Sequence, residues 1–475
     1  MLFPTIDFAI FFLVVFLLHW LLQPFPTRWK LFMIAASYVF YAWWDWRLVW
    51  LLALSTVIAQ GGAVVVHRMG SMRSRRTAMG VAVGADLALL GWFKYYGFLS
   101  LNLANLSHSL GGGRPLPLLQ ITLPVGISFF TFIGVSYVVD VYRRELEPAP
   151  WLDAFVYLSF FPHLVAGPIV RGSELLPQIR TRRDPRRLDV GRAGYLIWGG
   201  LFKKVVISSF LATAIVDPVF GDPARHGGLE VLVAVYAYAV QIYADFSGYT
   251  DIAIGVALLL GFQFPENFNS PYAARSLQDF WRRWHMTLSR WLRDYVYIPL
   301  GGSHGSETRT DVNIMITMVL GGLWHGAAWT FVAWGALHGA GQVVGRHRRR
   351  RRVELGLPAQ AEGRRHEWWQ RVATFHLVCL GWVFFRADSF HTALSMLLRV
   401  VTAPFAAAPL VTPLVVLAIG TGIAVQYLPE DIPERAQASL ARMRPLTQGA
   451  VLGGLLFVMT SLGPQGVAPF IYFRF

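Results

Sequence analysis

The amino-acid sequence predicts an all-α, polytopic integral membrane protein, and three observations carry that reading. Of 475 residues, 55% are hydrophobic and 15% charged, whereas a soluble domain carries about 25% charged residues. Apolar runs near the length of a membrane span recur from end to end. The alternating segments of roughly ten residues that build a transmembrane barrel are missing. By run length the chain crosses about eleven times, with re-entrant and interfacial helices besides. No soluble domain interrupts the series, so 1–475 reads as one domain.

The first three spans are Phe3 to Leu22, Leu31 to Trp44 and Leu48 to Val66. The aromatic turn Trp43 to Arg47 puts Arg28 to Lys30 and the basic loop His67 to Arg76 on one side. The positive-inside rule makes that side cytoplasmic and the N-terminus external. A fourth span, Ala78 to Leu99, leads out to a Gly/Pro-rich loop, Gly111 to Pro117, and a fifth, Ile121 to Val141, returns to Arg143 and Arg144. The next run, Trp151 to Val170, is broken by Pro162 and Pro168 and has arginines on both flanks, the pattern of a re-entrant segment.

Tyr195 to Val216 runs outward and contains Lys203 and Lys204, two lysines expected to snorkel to the interface. Leu229 to Phe262 is too long for one simple span and reads as two helices, or one broken helix, interrupted at Asp245 to Gly248. Asp245 and Asp251 then either cap helix ends around Gly248 or pair with the arginines that follow. Val312 to Val344, punctuated by Gly321, Gly322 and Gly326, precedes a basic cytoplasmic loop, Arg346 to Arg371. Val372 to Phe385, an interfacial Phe390 to Val401, Pro409 to Leu428 and Leu446 to Leu462 complete the series and leave Phe470 to Phe475 on the outer side.

The net charge of +15 collects as Lys and Arg in short loops, where it satisfies the positive-inside rule and meets anionic membrane lipids. No nucleic-acid-binding motif accompanies it, so no nucleic-acid partner is expected. The single cysteine, Cys379, excludes an internal disulfide and a cysteine-based metal site, and reads as packing. The first apolar run, Phe8 to Leu22, lacks a basic leader and reads as retained.

Two histidines stand apart, because a titratable group in membrane-depth sequence is costly and marks a functional site by default. On a helix of about 100° per residue, Trp281 to Tyr295 gathers Arg282, Arg283, Arg290 and Arg293 into one arc. Trp284, Leu288, Trp291, Leu292 and Tyr295 fall opposite, with His285 at the edge of their face. Such an amphipathic helix either binds lipid phosphates or forms a cationic rim over a pocket for a phosphorylated donor. His325 lies among Gly321, Gly322, Gly326 and Ala327, which let helices or a ligand approach the backbone, and between Trp324 and Trp329. A histidine on an apolar helix is often only a satisfied core residue. In this glycine-lined, tryptophan-flanked setting, a neutral imidazole suits removal of a proton from a hydroxyl, as acyl transfer to an alcohol requires. His285, His325 and His338 make no compact metal motif, and no metal is expected; a Gly-x-Ser-x-Gly elbow is likewise missing.

Five runs, in order, resemble the membrane-bound O-acyltransferase superfamily, and its bacterial alginate O-acetyltransferase branch most of all. They are Asp245 to Tyr249 (DFSGY), Pro265 to Tyr272 (PENFNSPY), Phe280 to Asp294 (FWRRWHMTLSRWLRD), Tyr297 to Gly302 (YIPLGG) and Gly321 to Gly326 (GGLWHG). Leu123 to Phe129, Tyr137 to Tyr142, Phe161 to Pro168 and Gly381 to Arg386 extend the likeness over nearly the whole chain. Ala244 departs from it, standing where the branch commonly has an aromatic residue.

The resemblance implies a helical fold around a funnel in the bacterial inner membrane. It places His325 at the family's principal catalytic histidine and His285 at the second. It implies acetyl transfer from cytoplasmic acetyl-CoA to an extracytoplasmic polysaccharide, alginate or similar, with no bound cofactor and with a periplasmic, SGNH-hydrolase-like partner. Arg282, Arg283, Trp281 and Trp324 are then the candidate donor-binding residues. Tyr472, in a terminal motif resembling one of the branch, is a candidate acyl relay, its bland alternative being an interfacial aromatic anchor. Two other readings stay open: transfer to peptidoglycan or another wall polymer, and a lipid or polysaccharide transporter. The transporter reading would lead one to look for paired broken helices in two repeated halves, and the polar, broken segments instead gather between Asp245 and His325.

Overall fold

The structure, a computed structural model, describes residues 1–112, 115–117, 119, 121–358, 363–429, 431–462 and 470–471. Helices make up its regular structure, with no strand among the described residues. Three of the helices are long and apolar enough to cross a membrane: Trp46–Arg68, Val190–Gly221 and Gly228–Leu259. Backbone proximity divides the chain into two compact units, 1–193 with 253–265, and 194–252 with 266–475.

The first unit holds α1 (Ile6–Leu22), α2 (Pro26–Ala42), α3 (Val49–Arg68), α4 (Met72–Leu90), α5 (Tyr96–Ser109), α6 (Ile127–Arg143), α7 (Trp151–Ser159), α8 (Phe161–Leu164) and α9 (Gly172–Arg180). Helices α3, α4 and α6 pack on one another. Several of their buried polar groups pair with one another or with nearby backbone: Ser55 donates to Asp86 at 2.8 Å, and Gln60 links the Tyr137 hydroxyl (2.7 Å) to the Ala149 carbonyl (2.7 Å). That is what burial away from water demands. The proline-interrupted stretch forms two short helices, α7 and α8, separated at Phe160, and Phe160 to Val170 is buried throughout. Within it the His163 ring bonds the Tyr157 carbonyl at 3.0 Å.

The second unit takes most of α10 (Val190–Gly221) and α11 (Gly228–Leu259), then α12 (Leu277–Trp281), α13 (Met286–Leu292), α14 (Glu307–His325), α15 (Trp329–Glu354), α16 (Arg364–Arg386), α17 (Phe390–Thr402), α18 (Pro413–Ala424), α19 (Asp431–Arg442) and α20 (Pro445–Leu462). Three expectations fail here. Helix α11 runs unbroken through Asp245 to Gly248. Gly248 serves close approach instead of a break: a Cβ there would lie 2.7 Å from the Gly200 carbonyl oxygen of α10. With the two backbones in contact, Lys203 and Lys204 do not snorkel. They pair with Asp251 and Asp245, so those carboxylates neither cap a helix nor meet the later arginines.

Candidate active site

The stretch from Trp281 to Tyr295 is not the continuous amphipathic helix that its charge pattern suggests. Helix α12 stops at Trp281, a turn covers Arg282 to His285, and α13 begins at Met286. The break has a local cause: the backbone is drawn alongside Asn267 to Asn269. Met286 N–H donates to the Asn267 carbonyl (2.9 Å) and Asn269 N–H to the Arg283 carbonyl (2.9 Å). His285 takes up the change of direction in the left-handed region, φ 42° and ψ 53°, a conformation costing a non-glycine residue about 1–3 kcal/mol. Strain of this kind persists where the surroundings enforce it, and often at functional sites.

The Asn267 side chain sets the state of the His285 ring. Its Oδ1 lies 3.1 Å from Thr287 N–H and 2.9 Å from the Thr287 hydroxyl. A backbone N–H can only donate, so this amide atom is the oxygen. His285 Nδ1, 3.2 Å from the same oxygen, therefore carries the proton, and Nε2 is left as the acceptor. His285 is fully buried, and Nε2 meets no hydrogen-bond partner among the described residues. A buried imidazole nitrogen in that state is equipped to accept a proton or a hydroxyl hydrogen bond.

His325 is held differently. It closes α14 and is 2% exposed. Rings surround it at steep angles: Trp324 at 4.9 Å, Trp334 at 5.1 Å and Phe385 at 5.1 Å between centroids. The glycines around it are filled by protein. A Cβ on Gly322 would fall 2.2 Å from the Phe331 carbonyl oxygen, and one on Gly326 2.1 Å from the Phe331 ring. They let α14 and α15 close on each other, as small residues do between membrane helices. Trp324 joins the two histidines, lying 5.9 Å from the His285 ring and 4.9 Å from that of His325. Phe246 of α11 stands edge-on to His285 at 4.6 Å.

Beside this core lies a cavity of about 410 Å³ whose lining includes Trp281, Arg282, Arg290, Arg293, Tyr297 and Gln342. Trp281 is fixed there by its indole N–H, which donates to His338 Nδ1 at 3.2 Å. A second cavity, about 470 Å³, is lined by Arg275, Arg282, Arg283, Arg349 and Arg371 among others. Arg282 faces both. Arg283 is turned to Asp279, with Nε 2.9 Å from the carboxylate. Burial first, and then the nearby charge of Arg282, lower the pKa of Arg349, a crowding of guanidinium groups that an anion would relieve. A larger groove of about 700 Å³ in the first unit, bordered by α3 and α4, is mostly apolar and gathers no comparable set of polar groups. Size alone does not mark the site. Among the described residues, no three His, Cys, Asp or Glu side chains converge as metal ligands.

The residues singled out from sequence thus fall into two groups. His285, His325 and Trp324 form the buried core, while Trp281, Arg282 and Arg283 border the basic cavities. Tyr472 lies outside the described residues. Sequence reasoning passed over Asn267, although it stands inside the quoted Pro265 to Tyr272 run, because nothing in the linear order ties it to His285. Trp334 and Phe385 were equally invisible as partners of His325.

Buried imidazoles thus lie next to guanidinium-lined cavities in a helical protein that has membrane-length apolar helices. The model of the membrane-bound O-acyltransferase family matches residues 85–385, and the chain belongs to that family. Among its relatives is the probable alginate O-acetylase AlgI of Azotobacter vinelandii, 41% identical over 83% of this chain and 77% of the relative. The peptidoglycan O-acetyltransferase of Helicobacter pylori is 36% identical over 84% and 79%. The teichoic acid D-alanyltransferase of Bacillus subtilis is 29% identical over 56% and 69%. The protein is therefore an O-acyltransferase of the membrane.

Proposed function

We propose that this enzyme moves an acetyl group from cytoplasmic acetyl-CoA across the bacterial inner membrane to hydroxyl groups of an extracytoplasmic polysaccharide, alginate or a similar glycan. The observation that carries the reading is the pair of buried histidines on either side of Trp324, in a chain similar to alginate O-acetylases over most of its length. The reading takes the chain as one catalytic domain over 1–475, crossing about eleven times around a funnel.

In this reading His325 takes the proton from the attacking hydroxyl. The hydroxyl oxygen bonds to the thioester carbonyl carbon, the C–S bond breaks, and the imidazolium returns the proton to the departing CoA thiolate. His285 assists. Its Nε2, fixed as an acceptor by Asn267, takes a hydrogen bond from a second donor on the acceptor and orients it. Arg282 and Arg283, with Trp281 and Trp324, hold the donor, the guanidinium groups meeting its phosphates. The acceptor hydroxyl belongs either to the glycan or to Tyr472 as a relay, with a periplasmic SGNH-hydrolase-like partner completing delivery. The similarity to the H. pylori enzyme favours peptidoglycan as the second reading for the acceptor.

The test compares wild type with His325→Ala at equal membrane abundance, following CoA release from labelled acetyl-CoA and acetate on isolated glycan and wall fractions. Loss of both signals is expected. Unchanged acetylation would sink the assignment of His325, and label confined to wall peptidoglycan would replace the glycan.

A further inference from the structure

The buried ion pair between α10 and α11 is expensive for its setting. Lys204 is 1% and Asp245 2% exposed. A buried pair is weak evidence for stability, since well-packed apolar residues often do as well or better. Asp245 has more to do than neutralise Lys204. Its Oδ1 accepts from the Lys204 ammonium and from the Ser208 hydroxyl at 3.2 Å, while its Oδ2 accepts the backbone N–H of Ile471 at 2.8 Å. A carboxylate accepting a backbone N–H makes a bond roughly twice as strong as a neutral acceptor does.

The segment docked in this way is sequestered. Phe470 is 1% and Ile471 3% exposed. The Phe470 ring lies 4.7 Å from Tyr249, at 30°, and 5.9 Å from Phe246, both on α11. Phe246 in turn stands edge-on to His285. One aromatic ring thus separates the docked segment from the histidine whose Nε2 is poised as an acceptor.

We infer that Asp245, held in place by Lys204, is a positioning residue that seats the Phe470–Ile471 segment against α11 beside His285, and that transfer to the acceptor depends on this seating. The seat itself is independent of the acetylation reading; its consequence for transfer rests on it. With the carboxylate gone, the Ile471 N–H loses its acceptor. With Lys204 alone removed, a lone carboxylate is left buried. Both changes are therefore made together.

The experiment uses the full chain in lipid nanodiscs and compares wild type, Asp245→Leu/Lys204→Met, and Asp245→Asn/Lys204→Gln. The last variant is uncharged but keeps an oxygen for the Ile471 N–H. Hydrogen exchange of the peptide carrying Ile471 reads the seat, and CoA release and glycan acetate are followed in parallel. In the Leu/Met variant, exchange is expected to rise at least about tenfold, local opening being set by such contacts. Because the acceptor hydroxyl itself cleaves the thioester, glycan acetate and CoA release are expected to fall together by about tenfold, and the Asn/Gln variant to recover protection and most of both. Unaltered exchange in the Leu/Met variant overturns the seat. Faster exchange with glycan acetate unchanged, or a loss of acetate that the Asn/Gln variant does not recover together with protection, overturns its role in transfer. His285→Ala is the control: it is expected to abolish acetylation with Ile471 still protected. If acetylation survives in that control, the reading of the histidines fails while the seat stands or falls on exchange alone.

Discussion

His285 and His325 are both buried, yet they are held by opposite means. His285 is fixed by hydrogen bonds: a turn tied to the backbone of Asn267 and Asn269, a left-handed backbone, and an amide oxygen that dictates where the ring proton sits. His325 is fixed by packing, at the end of a regular helix and among Trp324, Trp334 and Phe385. Polar fixation defines a protonation state, and aromatic fixation defines a position. A site that moves a proton while excluding water needs both.

The largest expected effect is loss of either imidazole. Each of His325→Ala and His285→Ala should lower acetyl transfer by at least about a hundredfold, measured as acetate delivered per enzyme. A much smaller loss in one would show that only the other does the chemistry. Next comes Asn267→Leu, which removes the acceptor at Nδ1 and lets the His285 proton move to Nε2; transfer should fall about tenfold. Asn267→Asp should retain activity, with the acid limb of its pH–rate profile at higher pH, because a carboxylate favours imidazolium. An identical profile for the Asp variant and wild type would detach Asn267 from the chemistry.

Smaller effects are expected at the basic cavities. Arg282→Gln and Arg349→Gln should raise the KM for acetyl-CoA by several-fold, about 1 kcal/mol each, with little change in kcat. The penalty should shrink as salt rises, since screening weakens the wild-type contact too. A fall in kcat with KM constant would take these arginines out of donor binding. The smallest effect has the opposite sign. His285→Gly should be inactive and yet more stable than His285→Ala by about 1 kcal/mol, because glycine adopts the left-handed conformation freely. Thermal unfolding in detergent would measure the difference.

Much of the frame was legible in sequence because it depends on composition and on run length. Helical class and the three membrane-length helices follow from these, whereas the basic runs expected as loops, His67 to Arg76 and Arg346 to Arg371, are largely helical. The glycines at 321, 322 and 326 announced close approach, but not that Phe331 rather than a ligand would fill the space. Helical periodicity misled over Trp281 to Tyr295, because it treats a segment in isolation. The turn at Arg282 to His285 is imposed by pairing with Asn267 and Asn269, a tertiary cause. The same limit hid the partners of Lys203 and Lys204: a lysine in an apolar run looks like a snorkelling residue until a carboxylate on another helix is placed beside it.

That pairing bears on how the protein enters its membrane. A lone Val190–Gly221 segment would carry Lys203 and Lys204 into the bilayer unpaired, and a lone Gly228–Leu259 segment Asp245 and Asp251. Insertion of one such charge at a span's centre costs about 2.5–3.5 kcal/mol. The two helices are consecutive, and Lys203 meets Asp251 while Lys204 meets Asp245. Leaving the translocon as a neutralised hairpin is cheaper for them than leaving one at a time, so the order of biogenesis is written into the same four side chains.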